Sequence, residues 1–145
     1  MPTGNSVPNL LLLDTHIWVW LINGDKKLKA SKCLSLIEDA GRRDSVRVSI
    51  MSVWEIGMLV AKKRLDLRAD VYEWTSKALA APGISLMDLT PEIALESTRL
   101  PEFSDGDPID RLLAASARKH NAVIVTRDRR ILNYAKTKHL KAVKA

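Results

Sequence analysis

The sequence predicts an α/β protein with a mostly parallel central sheet flanked by helices, and three observations carry that expectation. Short apolar runs of strand length, at residues 10–13, 46–50, 84–87 and 122–126, alternate with longer segments whose apolar residues recur at helical spacing. The first run is apolar at every position, as in a strand buried on both faces. Helix-start chemistry follows several of the runs closely, and strands alternating with helices imply parallel pairing through crossover connections. With 145 residues, 46% of them hydrophobic, the chain is the size of one domain, expected over residues 10–145.

Residues 1–9 hold two prolines, a glycine and no periodicity, and read as a flexible leader. After the first strand, Asp14 ends the apolar run, and a helix is expected from Thr15, with Ile17, Trp18, Trp20 and Leu21 apolar, until Asn23-Gly24-Asp25 stops it. A second helix is expected over residues 31–39, with Cys33, Leu34 and Ile37 inward and Gly41 after its end. The β-branched run at 46–50 follows. Ser52 then opens a helix through Arg64, with Val53, Ile56, Leu59 and Val60 on its apolar stripe. Another helix covers about 70–80, and Pro82-Gly83 breaks it before the third strand. Thr90-Pro91 begins a helix in cap-then-proline style, ending before Pro101, and residues 102–106 form a polar, acidic loop. Asp107-Pro108 starts the next helix in the same way and carries it to about His120. The strand at 122–126 is followed by a short helix opened by Asp128, and Leu140 and Val143 in the basic tail suggest an edge strand.

The formal charge of +6, from 23 basic and 17 acidic residues, points to a polyanionic or acidic partner. One cysteine, Cys33, cannot staple the chain and argues for no oxidising compartment. The N-terminus has neither a cationic segment nor a long apolar run, so it is no signal peptide. The longest apolar stretch, residues 10–22, is interrupted by Asp14-Thr15-His16 and is too short to span a bilayer. The expectation is a soluble, cytoplasmic protein without membrane contact.

Four carboxylates give the sequence its chemistry. Parallel α/β sheets bind ligands beyond the carboxyl ends of their strands. Asp14 follows the first strand, Glu55 falls in the first turn of the helix after the second, and Asp128 follows the fourth. Asp110 joins them if its helix begins at that same edge. Each acid also has an ordinary explanation. Asp14 and Asp128 fit helix N-caps, Ser52-Val53-Trp54-Glu55 fits a capping box, and Asp107 and Asp110 fit the cap and third position of one helix. Capping accounts for each acid singly but does not require all of them to meet. Carboxylates crowded together repel, and a bound cation removes the conflict. An all-oxygen set without a nearby cysteine favours Mg²⁺, or Mn²⁺, over zinc; His16 beside Asp14 reads as a packed or solvated side chain. An acidic, cation-binding cleft in a basic chain suggests a phosphodiester substrate, with the metal activating water and stabilising the leaving oxygen. Arg42-Arg43, Lys62-Lys63-Arg64 and the arginines of residues 127–130 are candidates to hold flanking phosphates, as is Arg111, for which a structural ion pair is an equal reading.

The segments Leu11-Leu12-Leu13-Asp14-Thr15-His16, Ser52-Val53-Trp54-Glu55-Ile56, Asp107-Pro108-Ile109-Asp110-Arg111-Leu112-Leu113 and Val125-Thr126-Arg127-Asp128 together resemble the PIN-domain ribonucleases, specifically the VapC-type toxins of bacterial type II toxin–antitoxin systems. The resemblance implies a compact α/β/α sandwich, a Mg²⁺-dependent endoribonuclease site acting on RNA, a cognate antitoxin that wraps the toxin and blocks the cleft, and a homodimer. It matches Asp14, Glu55, Asp110 and Asp128 to the family's four catalytic, metal-binding acids, in that order. It matches Thr126 to the hydroxyl residue that often precedes the last acid. Asp107 keeps its role as cap, supporting the third acid.

Trp18, Trp20, Trp54 and Trp74 lie at helical spacing beside aliphatic residues and read as core or interface rather than base-stacking platforms. Two other functions compete with the nuclease. An aspartyl-phosphate enzyme wants a second Asp two residues after the first, where this chain has His16. A catalytically silent PIN-like module that binds RNA or protein remains the alternative, against which all four acids are present.

Overall fold

In the computed structural model, which describes residues 10–103 and 106–145, five strands form one all-parallel sheet in the order β3-β2-β1-β4-β5. The strands are β1 (Leu11–Leu13), β2 (Val46–Ser49), β3 (Ile84–Met87), β4 (Val123–Thr126) and β5 (Lys141–Lys144). The leader expected over residues 1–9 lies outside the described residues, as do Ser104 and Asp105 of the acidic loop.

The chain leaves β1 towards β2 and β3, then returns across the sheet to lay β4 on the other side of β1. Because such crossovers are right-handed, this reversal moves the later helices to the opposite face. Helices α1 (Thr15–Asn23), α2 (Lys26–Lys29), α3 (Cys33–Arg42), α4 (Ile50–Ala61) and α5 (Val71–Leu79) cover one face. Helices α6 (Pro91–Ser97), α7 (Pro108–His120) and α8 (Arg129–Ala135) cover the other. The central strands feed both layers: Leu11, Leu13, Val48 and Val125 join the first core, and Leu12 and Ile124 the second. This is the alternation of side chains across a strand buried on both faces. The architecture is an α/β/α sandwich, as expected.

Several boundaries differ from the sequence reading. Residues 26–29 form a helical turn, capped by Asp25, that is too short to show a period. Gly41 lies inside α3 rather than after it. Its bare backbone is met by Gly83, whose φ is +84° and where an added Cβ would stand 2.3 Å from the Gly41 carbonyl oxygen. Both glycines therefore answer to a close approach of helix and turn. Helix α4 starts at Ile50, capped by the Ser49 hydroxyl, which accepts from the Met51 N–H at 3.0 Å. The expected Ser52–Glu55 capping box is not made. Ser49 is still paired to Met87 across the sheet, so the chain turns at Ser49 and Ser52 falls one turn inside the helix. Glu55 is consequently in the second turn of α4, not the first.

Trp18 and Trp74 are buried in the core in an edge-to-face pair, centroids 5.4 Å apart. Trp20 is half-buried, and Trp54 is 55% exposed. Among the described residues, no helix is long and apolar enough to cross a membrane.

Candidate functional site

The reversal of strand order lies between β1 and β4, and a sheet of this kind opens a crevice beyond the carboxyl ends of the two strands at that point. The Asp14 N–H donates to the Val125 carbonyl at 3.0 Å, which ties the exit of β1 to β4. A cavity of about 330 Å³ opens there, and Asp14, Glu55, Asp107, Asp110 and Asp128 all line it, together with His16, Ile17, Trp20 and Arg127.

On the strand side the carboxylates are fixed. Asp14 caps α1: one of its oxygens accepts from the Thr15 N–H at 2.8 Å, and the other accepts from the Thr126 hydroxyl at 2.6 Å. That hydroxyl in turn accepts from the Asp128 N–H at 2.9 Å. Thr126 is wholly buried, so one side chain links the acid after β1 to the acid after β4. Asp128 caps α8, accepting from the N–H groups of Arg130 at 2.8 Å and Ile131 at 3.3 Å. Capping and convergence thus coexist, because both strands end at the same edge and both following helices begin there.

On the helix side the carboxylates have fewer ties. Asp107 caps α7, accepting from the Ile109 N–H at 2.8 Å, with Pro108 at the first helical position. Asp110, at the third position, accepts no hydrogen bond from a described residue, so it is not the reciprocal partner of a capping box. Glu55 likewise accepts none. Its helix is anchored one turn earlier, where the buried Thr15 hydroxyl donates to the buried Ser52 hydroxyl at 2.8 Å. Sequence reasoning assigned Ser52 to a cap and missed this bond. Its only signal was a Thr directly after Asp14 and a Ser three residues before Glu55.

Electrostatics follow the geometry. Burial pushes the Asp110 carboxyl up to about 7, and the neighbouring charges of Asp128, Asp14, Asp107 and Glu55 push the same way. Burial also raises Asp14; the Thr126 hydroxyl, the Thr15 amide and the charge of His16 pull it back down, while Asp128 adds to the rise. As they stand, no three His, Cys, Asp or Glu side chains among the described residues are grouped closely enough to hold a metal ion. The chemistry of the donor set nonetheless suits a hard divalent cation: every candidate ligand is a carboxylate, and their mutual repulsion is what a cation relieves.

Two expectations for the basic residues are revised. Arg111 does not line the cavity: its Nε donates to the Ser97 carbonyl at 2.8 Å and its Nη1 to the Phe103 carbonyl at 2.7 Å, over the Phe103 ring. It braces the connection between α6 and α7, held there because the Ser97 carbonyl ends α6 and the Phe103 carbonyl lies in the connection before α7. Of the clusters proposed to hold phosphates, only Arg127 lines the cavity.

The fold and the cavity define a class, and the comparisons agree with it. The PIN-domain family model matches residues 11–137. The chain belongs to the PIN-domain family, in its VapC-type branch. It is 31% identical over 124 residues to Ribonuclease VapC22 of Mycobacterium tuberculosis (strain ATCC 25618 / H37Rv), covering 86% of this chain and 91% of that protein. The fold is shared with VapBC2 from Rickettsia felis, solved bound to a DNA fragment from its promoter, at a TM-score of 0.68 and 17% identity over 93% of this chain and 98% of that one. It is also shared with PAE2754 from Pyrobaculum aerophilum, at 0.62 and 21% over 94% and 92%.

Proposed function

We propose that the protein is a divalent-cation-dependent endoribonuclease, the toxin of a type II toxin–antitoxin pair, and that Asp14, Glu55, Asp110 and Asp128 are its catalytic and metal-holding residues. The observation that carries this reading is the meeting of those four carboxylates at one cavity at the switch point of the sheet. Kinship with Ribonuclease VapC22 supports RNA as the substrate, and a net charge of +6 suits a polyanion.

Asp14 and Asp128 present oriented carboxylates, since each caps its own helix, and Thr126 braces the Asp14 carboxylate and the Asp128 main chain. Asp110 and Glu55 are the adjustable members, moving their oxygens onto a cation without first breaking a bond to a described residue. Asp107 fixes the start of α7 and so the height of Asp110 at the cavity. Mg²⁺, with Mn²⁺ as a substitute, supplies an activated water and a counter-charge for the leaving oxygen when bound. Its binding requires Asp110 to be ionised, and burial, together with the negative field of the other acids, opposes that ionisation in the free protein.

VapBC2 and FitAB were each solved on DNA. For this chain the corresponding partner is a cognate antitoxin that covers the cleft, with a homodimer as the toxin's own assembly and the cytoplasm as its compartment.

The test is incubation of the purified protein with mixed RNA. Cleavage that requires Mg²⁺, stops on chelation, returns on adding Mg²⁺ back, and is lost in Asp110→Asn is the expected result. Tight RNA binding without turnover under any divalent cation would sink the nuclease reading and leave the silent binding module.

A further inference from the structure

An acidic cavity repels the polyanion it is proposed to cut, so the chain needs fixed positive charge beside it. The candidates are few. Arg111 is committed elsewhere, and Arg42 and Lys62 lie on other segments without lining the cavity. Arg127 lines it and is held from three directions. Its Nε donates to the Ala145 carbonyl at 2.9 Å, its Nη2 reaches the Lys27 carbonyl at 3.4 Å, and its guanidinium stands over the Trp20 ring, 4.9 Å from the centroid. The same ring carries a second cation, the Lys27 ammonium, at 5.2 Å; Lys27 does not line the cavity and reaches its rim only through the Trp20 ring. Trp20 is thus a holder of two cations rather than a free platform for a base, and it lines the cavity itself. Sequence reasoning did not single out Lys27, and it read Trp20 as core or interface.

These contacts answer a specific problem. An unrestrained lysine or arginine at the rim would fold back onto the carboxylates of Asp14 and Asp128. A cation held over an aromatic face, with its N–H groups partly spent on main-chain carbonyls, keeps its charge without being drawn into the acids. Arg127 uses its Nε and one N–H of Nη2 in this way, which leaves Nη1 for a ligand in the cavity.

We propose that Arg127 and Lys27, mounted on Trp20, form a phosphate subsite for the nucleotide next to the scissile bond, so that the RNA strand enters along α1 and α2. Arg127 makes the direct contact, and Trp20 is a positioning residue. This rests on the ribonuclease reading and extends it to the path of the substrate.

The test uses single-stranded RNA oligonucleotides and a cleavage-silent Asp110→Asn background, so that binding is read without turnover. The logarithm of the binding constant is followed against the logarithm of salt concentration. Each lost phosphate contact on a single strand lowers the slope by about 0.7. Arg127→Gln and Lys27→Gln are each expected to lower it by that amount, and the double variant by about twice as much. Lys77→Gln, on the exposed side of α5, leaves the slope unchanged. Arg127→Lys keeps the slope while weakening binding, because the charge stays and its mounting goes. Trp20→Leu, in an otherwise wild-type chain, raises KM more than it lowers kcat. If both glutamine variants keep the full slope while the parent binds RNA, the subsite is wrong and the nuclease reading survives. If wild-type protein neither binds nor cleaves RNA, the nuclease reading has failed instead.

Discussion

The two sides of the cavity are built differently. Where β1 and β4 end, Asp14 and Asp128 are helix caps, each with one carboxylate oxygen accepting from backbone N–H groups, and the buried Thr126 hydroxyl donates to the second oxygen of Asp14 and accepts from the Asp128 N–H. On α4 and α7, which pack against each other, Glu55 and Asp110 carry carboxylates with no hydrogen bond to a described residue. One side is preorganised and the other is adjustable. The same residue type under one cavity roof therefore has two uses. The hydrogen bonds at Asp14 and Asp128 hold the two helix starts with or without a ligand, although burial still raises the Asp14 carboxyl, whereas the half-buried Asp110 has no such bond to offset burial and the neighbouring acids until something positive arrives. That division explains how residues that explain themselves fully as caps can also belong to a site.

The comparison is tested most strongly at Asp110. Replacement by Asn is expected to lower RNA cleavage by on the order of 10² or more, the scale of losing one electrostatic group at a reacting centre, while leaving the cation-free protein as stable as wild type or more so. The pH dependence gives the sign. The Asp110 carboxyl ionises near 3.8 when unfolded and about 7 when folded, so its contribution is fully present below about pH 4 and is lost as pH rises through 7. Asp14 is raised as well and acts in the same direction. Thermal melts of the cation-free wild type should fall across that interval, and Asp110→Asn should remove the part due to Asp110. Added Mg²⁺ should reverse the fall in wild type by mass action, worth about 2.7 kcal/mol at a concentration a hundredfold above Kd, and do little for the variant. A variant that melts lower than wild type at every pH would mean that Asp110 is a structural residue after all.

The preorganised side breaks in the opposite way. Thr126→Val keeps the shape but leaves the Asp128 N–H without its acceptor and one of the two Asp14 carboxylate oxygens without its donor. Each is a buried polar group losing a partner, so the expected cost is about 1–3 kcal/mol of stability with or without Mg²⁺. Thr126→Ser restores the hydroxyl and should recover most of it. Denaturant unfolding of the three proteins decides the matter; a Val variant as stable as wild type would show that the bridge between the two acids contributes nothing.

Much of this site was legible because it rests on chain order. A short apolar run followed by an acid fixes where a strand ends and what stands there, and this located Asp14 and Asp128 at one edge. The position of Asp110 depended on where α7 begins, and Asp107-Pro108 marked that start correctly. What was illegible depended on register and on distant partners. Ser52 matches a capping box as well as any sequence can, yet the pairing of Ser49 with Met87 moves the helix start back by three residues and turns Ser52 towards Thr15. Arg111 sits beside Asp110 in the chain, but a helical neighbour points elsewhere, and its partners are main-chain carbonyls with no sequence signature. Lys27 lies on a four-residue helix too short to show any period, 100 residues from Arg127, with which it shares the Trp20 ring.

The finest distinction is between the two acids of α7, three residues apart. Asp107 caps the helix and also adds to the field that raises Asp110, so its two roles must be separated by substitution. Asn caps about as well as Asp, whereas Ala does not cap at all. Asp107→Asn should therefore hold stability and lower the pH at which Asp110 ionises, because one negative neighbour has gone. Asp107→Ala should lower that pH similarly and in addition cost about 1 kcal/mol through the lost cap. An NMR titration of the Asp110 carboxyl in each variant, beside a melting curve, reads both quantities. Because Asp107 comes after burial, Asp128 and Asp14 among the causes of the Asp110 shift, the change in ionisation should be smaller than that produced by Asp128→Asn, which also keeps its cap. If the order is reversed, the strand-side acids are not the ones that set the field at Asp110, and the division between a preorganised and an adjustable side loses its electrostatic half.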